Sequence, residues 1–433
     1  MKVLIITYYW PPSGGSGVQR WLKFVKYLPL YGWEPHVFTP ENPSFAVKDY
    51  SLENDVPSEA EVIRFPIWEP YDMFFRMSGW VGPRKQATPT SLVSSKQKTT
   101  FQNISTWIRG NFFIPDPRVF WVKPATKFLL DYLEDNKIQT IITTGPPHSM
   151  HLIGLRLKSK NPKLKWVADF RDPWSDWGLL DSLMVSKIAR KIHQRLERKV
   201  LEKANEITTI TPFYVRRFQV LSKRPVRLLT NGFDEDDFRD IVYEKNKKFL
   251  IRHIGIVNEK CDPRPFMRAL KIEMDTNQNF RADVHMEFIG EVHPHFRKFV
   301  EETQGLNNIT SYAGNVPHKE LIKMYGSSSV LLMVLTGYKD AEGFLPGKLF
   351  EYFATGLPIL AVGPVSGDAA KLLQETGSGV MLESNDQAGI QKTLRDLYTK
   401  WQRLPQPDVN PVKAPRFSRK EITGQLVDIL LTR

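Results

Sequence analysis

Residues 342–359 read EGFLPGKLFEYFATGLPI, and this stretch carries the strongest pattern in the chain. Pro346 suits the first turn of a helix, because its fixed φ is helical and its missing N–H would have no partner there. The apolar run Pro358–Val362 then has the length and composition of a buried strand. The stretch therefore predicts a helix that leads into a strand.

The start of this predicted helix has the properties of an anion-binding site. Gly347 leaves room for a diphosphate to approach free backbone N–H groups, and Lys348 adds positive charge beside them. Glu351 lies three residues on, on nearly the same face, where its carboxylate can accept hydrogen bonds from ribose hydroxyls. One turn of helix could thus recognise phosphate and ribose, although Glu351 could also be a solvated surface acid.

On both sides of this stretch, short apolar runs alternate with amphipathic helical segments, which predicts parallel sheets covered by helices. The predicted strands of the first half are Lys2–Thr7, Pro35–Thr39, Thr140–Thr144, Lys165–Asp169, Glu206–Ile210 and Val226–Thr230. Those of the second half are Phe249–Gly255, Val284–Ile289, Ile309–Tyr312, Val330–Leu335 and Pro358–Val362. With 433 residues, the chain is expected to form two doubly wound α/β domains.

The domain boundaries follow from composition. We place an N-terminal domain at residues 1–230, with an aromatic and basic insertion near 65–120. Residues 231–248 read as a linker, because the turn pair Asn231-Gly232 leads into a charged run. A second domain follows at 249–403, and residues 404–433 form a Pro-rich segment and a terminal helix that could pack on either domain.

The formal net charge of +13 favours anionic partners, such as nucleotide diphosphates or an anionic membrane surface. Zinc-finger spacings and aromatic RNA-binding motifs are absent from the sequence, so no nucleic-acid partner is expected. The single cysteine, Cys261, and the lack of a signal peptide or a membrane-spanning run predict a cytoplasmic protein, soluble or peripherally attached to the membrane.

A glycine-rich turn, PPSGGSGVQR at residues 11–20, follows the first predicted strand. Gly15 and Gly17 would let a phosphate or a polar substrate approach the start of the next helix. Arg20 replaces the last glycine of a dinucleotide-binding fingerprint, and no acid closes the second predicted strand at Thr39, so a dehydrogenase is disfavoured. The alternative is a tight turn with no ligand.

Residues 342–359 resemble the carboxyl-domain signature of the retaining glycosyltransferases of family 4. Asn231-Gly232-Phe233-Asp234 and His253-Ile254-Gly255 also resemble that family's interdomain motif and the opening of its second domain. The resemblance implies a GT-B fold, in which two Rossmann-like domains face a central cleft. It also implies metal-independent transfer of a hexosyl or related sugar, with retention, from a UDP- or GDP-sugar, without a further cofactor. We expect the acceptor to be a glycan or a lipid-linked intermediate of cell-surface polysaccharide synthesis.

The resemblance assigns further site residues. The donor-binding set is Gly15, Gly17, Lys260, Arg264, Glu342, Pro346, Gly347, Lys348 and Glu351, and the catalytic set is His148, Asp172 and Lys348. Glu342 is one residue further from Glu351 than in the usual family pattern, and either Lys260 or Arg264 would clamp the diphosphate. His148 and Asp172 follow predicted strands, where they would lie beside the transferred sugar and the acceptor; His148 could instead be structural, and Asp172 could brace a loop by pairing with Arg171.

The acidic run Asp234–Asp237 could bind a metal, but acids also begin helices, so we predict no metal site. Residues 73–127 combine aromatic side chains with many bases and are expected to dock on an anionic membrane, unless the aromatic side chains pack inside the domain. Two alternatives to a transferase remain: a nucleotide-sugar epimerase or hydrolase of similar fold, and a non-enzymatic subunit that binds glycan or membrane.

Overall fold

The computed structural model describes residues 1–45, 48–70, 100–176, 178–335, 337, 340–410 and 415–432. These residues form two compact units. Unit 1 comprises Met1–Thr230 together with Ile422–Arg433, and unit 2 comprises Asn231–Glu421.

Unit 1 is built on a seven-stranded parallel sheet with the order β3-β2-β1-β4-β5-β6-β7. Its strands are β1 (Lys2–Ile6), β2 (Glu34–Pro40), β3 (Glu61–Phe65), β4 (Thr140–Gly145), β5 (Lys165–Phe170), β6 (Glu206–Thr209) and β7 (Arg227–Leu228). Its helices are α1 (Ser16–Tyr27), α2 (Thr100–Phe112), α3 (Val122–Asp135), α4 (Ser149–Lys160), α5 (Gly178–Ser182), α6 (Lys187–Lys203) and α7 (Pro212–Ser222).

The sheet of unit 1 is buried on both faces. Along β1, Leu4 and Ile6 enter one hydrophobic cluster, while Val3 and Ile5 enter another. This alternation is the two-residue period of a strand with helices on each side. Leu4 pairs with His36 of β2 and with Ile141 of β4, so β1 lies at the point where the strand order reverses.

Unit 2 is likewise built on a parallel sheet, which has six strands in the order β10-β9-β8-β11-β12-β13. Its strands are β8 (Phe249–Ile254), β9 (Val284–Ile289), β10 (Thr310–Gly314), β11 (Val330–Val334), β12 (Ile359–Val362) and β13 (Gly379–Leu382). Its helices are α8 (Glu235–Phe238), α9 (Arg264–Thr276), α10 (Gln278–Asp283), α11 (Pro294–Glu302), α12 (Leu306–Ile309), α13 (His318–Tyr325), α14 (Gly347–Thr355), α15 (Asp368–Thr376) and α16 (Gln387–Arg403). The last helix of the chain, α17 (Arg419–Leu431), crosses the boundary between the units in sequence, and its Ile422 and Leu426 pack with β1.

The α/β fold class with two Rossmann-like domains is confirmed. Two edge strands were not predicted, β3 and β13. In β3 no residue is fully buried, and in β13 Gly379 and Val380 are exposed, so neither segment has the apolar run by which the central strands are recognised. The predicted strand Val226–Thr230 is ordered as a strand only at Arg227–Leu228.

The segment 231–248 packs within unit 2. The Tyr243 hydroxyl donates to the carbonyl of Thr355 at 2.7 Å, and Phe233 pairs with Ser418 in an isolated bridge. Asp234 caps α8 by accepting from the backbone N–H of Asp236 at 3.2 Å, which is the helix-starting role that its sequence position predicts. Within the described ranges, no helix combines the length and the apolar composition needed to cross a bilayer.

Candidate active site

In open parallel sheets, ligands bind beyond the carboxyl ends of the strands, where the strand order reverses. In unit 1 this point lies between β1 and β4, which are followed by the glycine-rich turn and by His148. In unit 2 it lies between β8 and β11, which are followed by Gly255 and by the segment that leads to α14. Most of the predicted site residues therefore follow strands that adjoin a reversal point.

Lys348 joins the two sides of the reversal point in unit 2. It lies in the first turn of α14, and its Nζ donates to the carbonyl of Ile254, the last residue of β8, at 2.9 Å. Burial lowers the pKa of Lys348, and nearby Cys261 and Glu351 oppose that shift. A partly desolvated ammonium beside free helix N–H groups is suited to stabilise phosphate charge.

The close approach of Lys348 to the end of β8 depends on glycine residues that follow β8 and β9. Gly255 has φ +126°, and a Cβ built on it would lie 3.2 Å from the Lys348 Nζ. Gly290, after the neighbouring strand β9, has φ +120°, and its Cβ would lie 2.5 Å from the carbonyl oxygen of Gly255. Both conformations are accessible to glycine and costly for other residues, so these two strand ends present bare backbone.

The start of α14 differs slightly from the prediction. The helix begins at Gly347, and Pro346 is its N-cap with φ −66° and ψ 143°. No side chain caps the helix at Pro346. An uncapped helix start is suited to bind an anion, as the sequence predicts here.

Glu351 belongs to a small polar cluster one turn further along α14. Its Oε2 accepts from the Tyr325 hydroxyl at 3.0 Å, and its Oε1 lies 3.3 Å from the His318 Nε2. Burial and the Glu351 charge raise the pKa of Tyr325 well above its ordinary value, so the phenol stays protonated and donates. These contacts fix the orientation of the carboxylate, which a solvated surface acid would lack.

The loop after β8 carries Lys260 and Arg264. Asn258 and Cys261 pair across a turn, and Cys261 is close enough to Lys348 to influence its pKa. Arg264 begins α9 and is engaged with Asp262, with 2.9 Å and 2.8 Å from its Nε to the two carboxylate oxygens. The loop of Lys260 thus lies beside Lys348, whereas part of the Arg264 guanidinium is engaged with Asp262.

Glu342 is separate from the Glu351 cluster in its contacts. It lies in a 3-10 turn, Ala341–Gly343, is exposed, and accepts from the Ser366 hydroxyl at 2.8 Å. None of its described contacts connects it with the partners of Glu351.

In unit 1, Arg171 organises the loops at the reversal point. Its guanidinium donates to the carbonyls of Gly145 and Pro146 after β4, and to the carbonyl of Gly17 at 3.2 Å. A Cβ on Gly17 would lie 3.0 Å from the Arg171 Nη1, so this glycine makes room for an arginine. Gly15 is exposed, has φ +92° and is the N-cap of α1, again without a side-chain cap.

His148 is the N-cap residue of α4 and is 5% exposed. Its ring stacks on Trp174 with centroids 4.9 Å apart and planes 3° apart. Burial, and then His151, His193 and Arg171, lowers the pKa of His148 well below its ordinary value, so the ring is neutral at pH 7. Both ring nitrogens are buried, and neither has a well-formed hydrogen bond to a described group.

Asp172 and Asp169 have different environments. Asp172 keeps part of its surface exposed, and burial raises its pKa while Arg171 opposes that shift. Asp169 is fully buried; burial alone would raise its pKa, but Arg20 and the hydrogen bond from Thr208 lower it. Asp169 is thus a buried structural carboxylate, and Asp172 is the more exposed of the two.

No cluster of three or more histidine, cysteine, aspartate or glutamate side chains able to hold a metal ion occurs among the described residues. Sequence reasoning named Arg171 only as a possible partner of Asp172, and it missed Trp174, Tyr325 and His318, because each acts through a partner distant in sequence. The Pro173-Trp174 pair after a strand was the only local signal for any of them.

Comparison with known proteins gives a family match for most of the second unit. Residues 244–400 match the family model described as "Glycosyl transferases group 1". A comparison with curated protein sequences gave no match.

Solved structures match the chain over nearly its whole length. The sucrose-phosphate synthase of Thermosynechococcus elongatus aligns with TM-score 0.60 and 14% identity, over 99% of this chain and 98% of that one. HepE from Anabaena, solved in complex with UDP-glucose, aligns with TM-score 0.61 and 12% identity, over 99% of both chains. WaaG, described as a glycosyltransferase involved in lipopolysaccharide biosynthesis, aligns with TM-score 0.57 and 13% identity, over 100% of both chains. At these identities the likeness establishes the fold. Residues 244–400 therefore resemble the group 1 glycosyltransferases, and the chain as a whole has the fold of the GT-B enzymes, with two Rossmann-like domains.

Proposed function

We propose that this chain transfers a hexosyl or related sugar from a nucleotide-diphosphate sugar to an acceptor, with retention at the anomeric carbon. The observation that carries the proposal is the Lys348 ammonium, held 2.9 Å from the end of β8 beside the uncapped start of α14. Cleavage of the bond to the nucleotide leaves growing negative charge on phosphate, and this arrangement supplies fixed positive charge to stabilise it.

Further residues of unit 2 bind the ribose and the diphosphate of the donor. Glu351, oriented by Tyr325 and His318, accepts hydrogen bonds from the ribose hydroxyls. A base of the segment after β8, Lys260 or Arg264, assists Lys348 at the diphosphate, because Cys261 of that segment is close enough to Lys348 to influence its pKa.

In unit 1, His148 contacts the transferred sugar as a neutral imidazole, and Asp172 orients the acceptor hydroxyl. The acceptor attacks from the face that the nucleotide leaves, and the departing phosphate takes its proton. The glycines of both strand ends give the substrates access to backbone N–H groups.

The finer part of the proposal concerns the substrates and the location. The donor is a UDP- or GDP-sugar, and the similarity of fold to a UDP-glucose complex supports a uridine nucleotide as the first to test. The acceptor is a glycan or a lipid-linked intermediate of cell-surface polysaccharide synthesis, which the fold shared with a lipopolysaccharide glycosyltransferase supports. The enzyme is cytoplasmic and attached peripherally to an anionic membrane, and the net charge of +13 supports that attachment.

Thermal unfolding of the purified chain with UDP, GDP and their sugars tests donor binding. A ligand of the folded state at 100 times its Kd adds about 2.7 kcal/mol of stability, so the nucleotide that binds should raise the Tm. Lys348→Ala should remove most of this rise, whereas Lys392→Ala, at an exposed position on α16, should not. If none of these nucleotides stabilises the chain, the donor site is wrongly assigned.

Product analysis then separates the enzyme classes. Incubation with the stabilising nucleotide sugar and a mixed glycan and lipid-linked acceptor fraction should yield a glycosylated product. Donor-dependent release of free sugar alone would identify a hydrolase, and a change of configuration in the recovered nucleotide sugar would identify an epimerase. Donor binding without any turnover would favour a binding subunit.

A further inference from the structure

Helix α6 (Lys187–Lys203) has an unusual distribution of polarity. Its buried face includes His193 and Glu197, while Ile188 and Ile192 on the opposite face are 74% and 43% exposed. An amphipathic helix on a globular domain normally buries its large apolar side chains and exposes its charges. The exposed isoleucines therefore require an explanation.

The buried polar residues have an internal role. The Trp174 Nε1 donates to the His193 Nδ1 at 3.0 Å, and its backbone N–H donates to Glu197 at 3.3 Å. The Ser175 hydroxyl also donates to Glu197. The inner face of α6 thus holds the loop whose Trp174 stacks on His148. Among the described residues, no comparable internal contact accounts for the exposure of Ile188 and Ile192.

The exposed face of α6 is also strongly basic. Ile188, Lys191, Ile192 and Arg195 follow the i, i+3, i+4, i+7 spacing that places side chains in one stripe. The exposed bases of the helix are Lys187, Lys191, Arg195, Arg198, Lys199 and Lys203, and the one exposed acid among its described side chains is Glu202.

Helix α2 extends this surface. Ile104, Trp107 and Phe112 are 52%, 44% and 67% exposed, and the rings of Trp107 and Phe112 meet edge to face at 5.7 Å. Asn111 fixes the end of α2 to the turn before α6 by accepting from the backbone N–H of Ser186 at 2.9 Å.

The contact between the two elements is close, because a Cβ on Gly110 of α2 would lie 2.4 Å from the carbonyl oxygen of Leu183. The end of α2 and the turn before α6 are therefore in contact, and Met184 of this turn is 41% exposed. We call the exposed apolar and basic side chains of these elements the α2–α6 face, and its members are Ile104, Trp107, Phe112, Met184, Ile188, Lys191, Ile192 and Arg195.

We propose that the α2–α6 face docks the protein on an anionic phospholipid bilayer. Exposed isoleucine, tryptophan and phenylalanine side chains can enter the boundary between headgroups and acyl chains, and bases on the same face are attracted by lipid phosphates. This charge complementarity favours a bilayer over a second copy of the chain, whose own α2–α6 face would carry the same positive charge. The proposal uses described residues only and so does not depend on residues 71–99.

The inference rests on the proposed function only in placing the acceptor at a membrane. Docking should bring a lipid-linked acceptor to the surface of the same unit that holds His148, because α6 faces lipid with one side and orders the Trp174 loop with the other.

Vesicle flotation of the full chain tests the proposal. Wild type should float with vesicles of phosphatidylcholine and phosphatidylglycerol, less at high salt, and should stay behind with phosphatidylcholine alone. Ile188→Ser with Ile192→Ser should lower the bound fraction, because the side chains that enter the bilayer are removed. Lys191→Gln with Arg195→Gln should weaken binding at least tenfold at low salt, since each base near an anionic surface contributes about fivefold.

Two matched controls separate docking from general loss of apolar surface or charge. Val220→Ser with Leu221→Ser removes a pair on α7 that is 78% and 43% exposed, and Lys160→Gln with Lys163→Gln removes the same number of exposed charges from unit 1. Both controls should float like wild type. Nucleotide-induced thermal stabilisation, unchanged in all four variants, would show that they fold.

Equal flotation of wild type and both α2–α6 face variants would overturn the proposal. So would sedimentation velocity without lipid in which the wild type self-associates and the face variants do not, because the face would then be an interface between copies. Flotation needs neither donor nor acceptor, so its failure is distinguishable from a failure of glycosyl transfer.

Discussion

Lys348 is the residue whose position most directly fits a chemical role, because its ammonium joins the start of α14 to the end of β8. Lys348→Ala should lower kcat/KM by about 100-fold or more, since the loss of one electrostatic contact to a transition state costs about 3 kcal/mol. Steady-state kinetics with the stabilising nucleotide sugar measure this. Lys392→Ala is the matched control, and unchanged kinetics in a folded Lys348→Ala variant would contradict the assignment.

Glu351 should affect binding more than chemistry. Glu351→Ala should raise the KM for the donor by a factor equivalent to roughly 1 to 3 kcal/mol and leave kcat within a few-fold, because a ribose contact persists unchanged into the transition state. Tyr325→Phe is the informative comparison, because it removes one orienting hydrogen bond and keeps the carboxylate. A Glu351→Ala variant with reduced stability and an unaltered KM would make Glu351 a structural residue.

Kinetics measured per folded molecule can distinguish a role of His148 in sugar transfer from a purely structural role. His148→Ala should retain nucleotide-induced thermal stabilisation, since the donor nucleotide is assigned to unit 2, but should transfer sugar poorly. Trp174→Phe keeps an aromatic partner for the His148 ring and serves as the control. Normal turnover by the folded fraction of His148→Ala would show that the histidine only packs.

At the residue scale, sequence reasoning found the groups that stand in local motifs and missed those that position them. Pro346, Gly347, Lys348 and Glu351 lie within six consecutive residues, so their spacing was readable. Tyr325 reaches Glu351 from another helix, and Arg171 reaches Gly17 from 154 residues away. Such contacts depend on how strands and helices are ordered in space, which no short pattern encodes.

At the scale of elements, the buried Arg20–Asp169 ion pair connects α1 with β5 in unit 1. The Arg20 Nη2 lies 2.9 Å from Asp169, and the arginine also donates to the carbonyls of Leu229 and Thr230. Thr144, Thr208 and Trp21 complete the hydrogen bonding of the carboxylate. The arginine that argued against a dinucleotide fingerprint is therefore a structural residue that holds the glycine-rich turn to the centre of the sheet.

Arg20→Ala should lower the free energy of unfolding by about 3 to 5 kcal/mol, because it leaves a buried carboxylate without its counter-charge. Denaturant unfolding measures the change. The control is Arg239→Ala, which breaks an exposed pair with Asp236 and should cost no more than about 1 kcal/mol. Equal effects of the two substitutions would mean that the buried pair contributes nothing specific.

The elements themselves were predictable in proportion to their burial. The strands around the reversal points are almost wholly buried and are rich in apolar or β-branched residues, so they were predicted from composition, whereas β3 and β13 lie at sheet edges with mixed side chains. In helix α6, by contrast, burial does not follow hydrophobicity. Its hydrophobic periodicity is regular, but a sequence gives no sign that His193 and Glu197 face inward while two isoleucines face outward.

For the whole molecule, buried neutral histidines make stability depend on pH. Burial lowers the pKa of His193 to about 4 and that of His151 to about 3, while an unfolded histidine titrates near 6.5. Between those values the unfolded chain binds protons that the folded chain does not, so acid favours unfolding. The stabilisation is full above about pH 6.5 and falls as the pH drops toward the folded pKa values, by up to about 1.4 kcal/mol per pH unit for each histidine.

His193→Asn isolates one of these contributions. The His193 Nδ1 accepts from the Trp174 Nε1, so protonation there would replace an acceptor with a donor, whereas asparagine can keep an acceptor oxygen in a similar place. Unfolding free energies measured between about pH 7 and pH 4 should fall less steeply in His193→Asn than in wild type, by up to about 1.4 kcal/mol per pH unit. His295→Asn removes an exposed histidine and should leave the slope unchanged. If both variants follow the wild-type slope, His193 does not take up a proton on unfolding, and the inward orientation of the polar face of α6 would have to be reconsidered.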